Sequence, residues 1–108
     1  MTFTELDHLI NESGRRSLAS RLISALLDAL DAGEDTLSLD VFERNSGYTR
    51  TNIRTVASFL SNAGVINILY LNTSSPGQGL QLHAEAKRGR WARHHYALAN
   101  HVRELHRR

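Results

Sequence analysis

Helical periodicity broken at regular places is what most limits the fold of this chain. In residues 1 to 64, apolar side chains recur at helical spacing in four stretches, and a glycine ends or breaks each one, at 14, 33, 47 and 64. Glycine just past the last periodic residue is a helix stop. The chain must therefore fold as several short helices rather than one long rod. In the first stretch Thr4 can cap, Asp7 stands at the capping-box position, and Leu6, Leu9 and Ile10 share a face. The second runs from Arg15 to Ala32, where Leu18, Leu22, Ile23, Leu26, Leu27 and Leu30 form a broad apolar stripe. Arg21 and Asp28 interrupt it too much for a membrane span. "EDTLSL", residues 34 to 39, suits a very short strand. A third helix over residues 39 to 45 follows, with Ser38 as its cap, and a fourth covers 50 to 62 with Thr49 as its cap.

Beyond Gly64 the period changes. "VINILYLN", residues 65 to 72, is rich in β-branched and aromatic residues and reads as a strand. "TSSPGQG", residues 73 to 79, is a turn-rich loop, and "LQLHAEA", residues 80 to 86, alternates as a half-buried strand does. Together they predict a hairpin. The final segment admits two readings. Trp91, His95, Leu98, Val102 and Leu105 recur at steps of 4, 3, 4 and 3, which predicts an amphipathic helix from about Arg90 to His106. The rival is a turn at residues 87 to 89 followed by "RWARHHYAL" as a third strand. We take the helix, because the periodicity holds over four intervals and alanines are frequent.

The length of 108 residues suits one domain with a real core. It divides into a short helical segment, 1–14, a central unit, 15–86, and a C-terminal segment, 87–108. The absence of cysteine excludes disulfides and thiolate metal sites. No apolar run approaches the length of a membrane span, and the first ten residues are not of signal type. A soluble, cytoplasmic, nucleoid-associated protein with no membrane partner is expected. The net charge of +2 conceals a gradient. Residues 1 to 47 carry nine acids against four arginines, whereas residues 87 to 108 carry seven bases against one acid. Such a split suits a basic face for a polyanion and an acidic face turned away from it.

The residues of the fourth helix sharpen that expectation. Ile53, Val56, Ala57 and Leu60 fall in one inward sector. Thr51, Arg54, Thr55 and Ser58 fall opposite, with Arg50 at the flank of the first turn and Asn52 between the faces. Short hydroxyl side chains let a helix approach closely in the major groove of DNA. Arginine reaches guanine or phosphate there, and asparagine can pair with adenine. The free amides near Thr49 favour a phosphate.

The stretch "SLDVFERNSGYTRTNIRTVASFLSNAGVI" resembles the winged helix-turn-helix superfamily of transcriptional regulators. The resemblance rests on the helix from Leu39, the turn at Gly47, the capping Thr49, the inward Ile53 and the "FLSNAGVI" exit into a strand. With its flanking helix and hairpin it covers residues 15 to 86. It implies an α+β, mainly α fold: a winged helix-turn-helix with a two-stranded wing hairpin, to which the C-terminal amphipathic helix is added. It also implies that residues 49 to 62 form a recognition helix, with Thr49, Arg50, Thr51, Asn52, Arg54, Thr55 and Ser58 against DNA. Residues 73 to 79 would be the wing tip. That tip departs from the family in having no charge, so Ser74, Ser75 and Gln78 would offer hydroxyl, amide and backbone groups to phosphate. Phe42 is a second departure, standing where a small residue often lets two helices pack closely.

Several further roles are expected of the C-terminal segment. Lys87, Arg88, Arg90 and Arg93 form a basic contact set, and Trp91 and Tyr96 lie among them as candidate nucleic-acid contacts. Trp91, Leu98, Val102 and Leu105 could fold back on their own domain or form the seam of a twofold homodimer. We take the dimer, which would set two recognition helices about 34 Å apart on a palindromic site. His94, His95, His101, Glu104 and His106 raise a metal site like those of metal-sensing winged-helix repressors. Only the pair His101 and Glu104 has suitable spacing, so surface histidines are the reading taken, with no metal and no cofactor. The loop "SSPGQG" lacks the lysine and spacing of a phosphate-binding loop, and no catalytic set stands out, so no enzyme is expected. The expected function is sequence-specific binding of double-stranded DNA, as a dimeric transcriptional repressor. The alternatives are a plasmid or phage partition or replication-control protein, and a winged-helix module that binds protein.

Overall fold

The structure, a computed structural model, describes residues 1–72, 81–83 and 92–107; side chains at 71–72, 81–83, 92–93 and 106–107 are not described. The fold is α+β and mainly helical, with a small antiparallel sheet. Its helices are α1 (Phe3–Glu12), α2 (Arg16–Asp31), α3 (Leu39–Ser46), α4 (Arg50–Asn62) and α5 (Asn100–Arg107). Its strands are β1 (Leu37–Ser38), β2 (Ile66–Asn72), β3 (Gln81–His83) and β4 (Ala92–Leu98), ordered β1-β4-β2-β3. No helix among the described residues is long and apolar enough to cross a membrane.

The bounds of α2, α3 and α4 follow the sequence signals, although Ser38, at the N-cap position of α3, makes no side-chain cap hydrogen bond among the described residues. Thr2, not Thr4, caps α1, its side chain accepting from the Glu5 amide at 3.1 Å. Both threonines have capping chemistry, but α1 begins two residues earlier than its apolar face requires. Leu6 and Ile10 still bury as expected. Gly47 follows α3 with φ 78°, in the left-handed region, and its amide bonds to the Glu43 carbonyl at 3.1 Å. A Cβ there would meet nothing within 4 Å, so the cost of a side chain is backbone strain alone. Gly47→Ala is expected to lower stability by about 1–2 kcal/mol, read from the urea midpoint at unchanged slope. An unchanged midpoint would show that the turn between α3 and α4 relaxes.

The inward stripes of the helices converge on one core. Leu18, Leu22 and Leu26 of α2 meet Leu39 and Phe42 of α3 and Ile53, Val56 and Leu60 of α4. Phe42 is 3% exposed, so the bulky residue at that position is accommodated by burial in the shared core. Val65, Ile66, Tyr96, Leu98 and Val102 supply the sheet side and the start of α5.

The segment after residue 90 overturns an expectation. Residues 92 to 98 are not helical; they form β4, the strand between β1 and β2. Seven residue pairs join it to β2, from Ile66 opposite Leu98 to Asn72 opposite Ala92. Only α5 remains of the long amphipathic helix. The physical reason is that Leu98 satisfies two patterns. It lies on the helical series with Val102 and Leu105, and also on the alternating series with Tyr96 and His94. β2 pairs along the whole of β4 and β1 pairs with Tyr96 and His95 on its other edge, and that ladder outweighs the helical period. β2 and β3 pair antiparallel, with Tyr70 opposite His83 and Asn72 opposite Gln81, while the expected wing tip at 73–79 lies outside the described residues.

The dimer seam is corrected with it. Leu98, Val102 and Leu105 are 2, 2 and 5% exposed within the single chain, so they are already covered. Trp91 lies outside the described residues. Arg103 ties α5 down: its Nε donates to the Leu98 carbonyl at 2.9 Å and its Nη2 to the Asp35 carbonyl at 3.2 Å.

Candidate nucleic-acid interface

Helix α4 sits with one face in the core and the other in solvent. Ile53, Val56, Ala57 and Leu60 are at most 1% exposed, which fixes its rotation. Thr51, Arg54, Thr55 and Ser58 are consequently exposed and line an open groove along the helix. Asn52 is half-buried, as its intermediate angle implies. Thr49 caps the helix, accepting from the Asn52 amide at 3.3 Å. The hydroxyl of Thr55 donates to the Thr51 carbonyl at 2.9 Å. That bond holds the hydroxyl against the helix and leaves the outer surface low enough for close approach by a partner.

The two arginines differ in a way the sequence pattern did not reveal. Arg50 donates to the carboxylate of Asp40, and its Nε lies 3.7 Å from Glu43, so two acids of α3 hold it. All three side chains are between 36 and 46% exposed, and a pair so open to solvent contributes about 0–1 kcal/mol. The sequence pattern alone assigns Asp40 and Glu43 no partner. Their spacing of three on α3 and the short turn to α4 were the available signal. Arg54 has no ion-pair partner among the described residues.

A second pair of residues meets within the sheet. Tyr70 and His94 are opposite one another in the ladder of β2 and β4. Their rings meet edge to face, with centroids 4.8 Å apart and planes at 76°. Burial pulls the imidazole of His94 below its ordinary value of 6.5; the positive charges of Arg54 and Arg50 push the same way, and Asp40 opposes them. His95, next in β4, points to the other face of the sheet and lies 3.3 Å from the Thr36 hydroxyl through its Nδ1. The strand therefore separates two histidines that a helix would have kept nearer together.

Tyr96 lies two pairs further in, opposite Ile68, and is fully buried. A role for it as an exposed nucleic-acid contact is thereby excluded. Its hydroxyl has no hydrogen-bond partner among the described residues. Burial raises its pKa from 10.0 to about 12, against the pull of Arg54 and Arg50 and with a smaller push from Tyr70. The neutral phenol is favoured in the folded state, so this group leaves stability intact below pH 10 and erodes it as pH rises from 10 towards 12. Tyr96→Phe removes a buried hydroxyl without opening a cavity. It is expected to leave stability unchanged or raise it by up to about 1–2 kcal/mol, and to flatten the alkaline loss in a pH series of thermal melts. A clear loss at neutral pH would reveal a partner for the hydroxyl.

Of the other expected contacts, Ser74, Ser75, Gln78, Lys87, Arg88 and Arg90 lie outside the described residues, as does the side chain of Arg93. Tyr70 was not singled out in the sequence, and His94 was noticed only as a metal candidate. No group of three metal-ligating side chains gathers among the described residues. Compared with protein-family models, curated proteins and solved structures, the chain matches none.

Proposed function

We propose that this protein binds double-stranded DNA through α4, as a small winged helix-turn-helix regulator that represses transcription by occupying an operator. The observation that carries the reading is the outward face of α4. Three short hydroxyl side chains and an arginine with no ion-pair partner among the described residues line an open groove on a helix whose opposite face is locked in the core. A helix so built has the width, the donors and the charge that the major groove accepts. Supporting it are the turn at Gly47 between α3 and α4, and a sheet in which β4 lies between β1 and β2. These agree with a helix-turn-helix backed by a wing-bearing sheet. Partition or replication control on a plasmid or phage would use the same chemistry. A homodimer on a palindromic site remains part of the proposal, through a surface other than Leu98, Val102 and Leu105.

One observation favours a second reading, a winged-helix module that binds protein. Asp40 and Glu43 largely neutralise Arg50 at the edge of the face. Titration of the protein into a fluorescent random-sequence duplex, at about 50 and about 200 mM salt, separates the two. A DNA-binding face loses affinity steeply with salt as phosphate counterions return. The absence of binding at the lower salt would reject the DNA reading in favour of the protein partner.

A further inference from the structure

We propose that Asp40 and Glu43 aim Arg50 so that it reads a guanine in the major groove, which makes these two acids of α3 the positioning residues for sequence choice. The inference rests on the DNA reading above and assigns a base contact within it.

Position is the first argument. Arg50 opens α4, directly after the cap Thr49. In a helix-turn-helix the first residues of the second helix are those that reach base edges. Arg50 also stands four residues before Arg54, so the two side chains are neighbours on one ridge of the helix.

The geometry of the ion pairs is the second. A guanidinium has two edges that can each make a parallel pair of bonds. One is formed by Nε–H and an Nη2–H; the other, at the tip, is formed by Nη1–H and the remaining Nη2–H. The carboxylate of Asp40 accepts from Nη2, and Oε2 of Glu43 lies 3.7 Å from Nε. The two acids therefore take the Nε edge. No acceptor meets Nη1 among the described residues, so the tip edge is open to a ligand. The pairs also favour one arrangement of the side chain, which reduces the freedom lost when a partner is met.

Charge selects the partner. Guanine presents N7 and O6 side by side in the major groove, the match for two parallel N–H groups. A phosphate could take the same edge, but it is an anion, and two carboxylates beside the contact repel it. The base is neutral and meets no such repulsion. Arg54 has no ion-pair partner among the described residues and so carries no such bias.

The test is a selection from a random-sequence duplex library with the full chain. Equilibrium binding then compares wild type, Arg50→Lys, and Asp40→Asn combined with Glu43→Gln. The probes are the selected duplex, that duplex with each guanine replaced in turn by adenine, and random duplex. Lysine keeps the charge and loses the fork. Wild type is expected to lose about ten- to a hundredfold in affinity at one guanine. Arg50→Lys should lose that preference while binding random duplex within about threefold of wild type, since its charge is kept. The acid variant should bind random duplex more tightly and discriminate less at the same guanine, because the released side chain can turn to phosphate. Unchanged discrimination in Arg50→Lys would overturn the inference and leave the DNA reading intact, as would a library that yields no preferred guanine. Unchanged discrimination in the acid variant would overturn the role of Asp40 and Glu43. No binding of random duplex by wild type would overturn both the inference and the DNA reading.

Discussion

Arg54→Ala is expected to weaken duplex binding by about 1–3 kcal/mol, roughly ten- to a hundredfold, and Arg50→Ala by distinctly less. The asymmetry follows from the ion pairs. Arg50 must leave Asp40 and Glu43 before it can serve a phosphate, and the strength of the new contact is offset by the loss of the old ones. Arg54 has no such partner among the described residues and extends from the groove that Thr51, Thr55 and Ser58 line. The complementary change sharpens the test. Asp40→Asn with Glu43→Gln removes two negative charges beside the face and releases Arg50, so non-specific binding should tighten and its salt slope should steepen. Fluorescence anisotropy across a salt series reads all of these variants. Equal losses from the two arginine substitutions would mean that the ion pairs do not restrain Arg50 on DNA. No loss from either would move the contact away from α4, and the basic residues Lys87, Arg88, Arg90 and Arg93 would be the next to replace.

The largest effect on stability is expected at a position whose sequence pattern suggested an interface. Leu98→Ala should destabilise the chain by about 2–5 kcal/mol, the ordinary cost of emptying a core site that cannot collapse. A domain of this size holds a total of only about 5–15 kcal/mol, so the variant will be near its limit at physiological temperature. Chemical denaturation provides the number. The loss should be the same at low and high protein concentration, because the side chain is buried within one chain. A dimer seam would behave otherwise, since its midpoint would shift with concentration by mass action. Phe3→Ser serves as a control. That ring is 66% exposed, and replacing it should change stability by no more than about 0.5 kcal/mol.

Much of the helical half was legible before any coordinates. The bounds of α4 and the cap at Thr49 follow from local chemistry, as does the division of α4 into a buried and an exposed face. A helix is written in contacts three and four residues apart, and its caps lie within one turn of its ends. The cap of α1 shows how far this goes. With Thr2 and Thr4 both able to accept the bond, only the start of the helix could choose between them.

What the chain alone determined, then, was the set of four helices before residue 64 and the face each turns inward, because every group that settles those features is a near neighbour in sequence. The tertiary structure decided whatever depended on residues far apart. It made residues 92 to 98 a strand, because β1 and β2 stood ready to pair with it on both edges, and a pattern compatible with either period cannot record that. It moved Leu98, Val102 and Leu105 from a presumed surface into the core. It joined Arg50 to acids on α3 and brought the rings of Tyr70 and His94 together across β2 and β4. Electrostatic and ladder contacts act through space, and only the fold sets those distances.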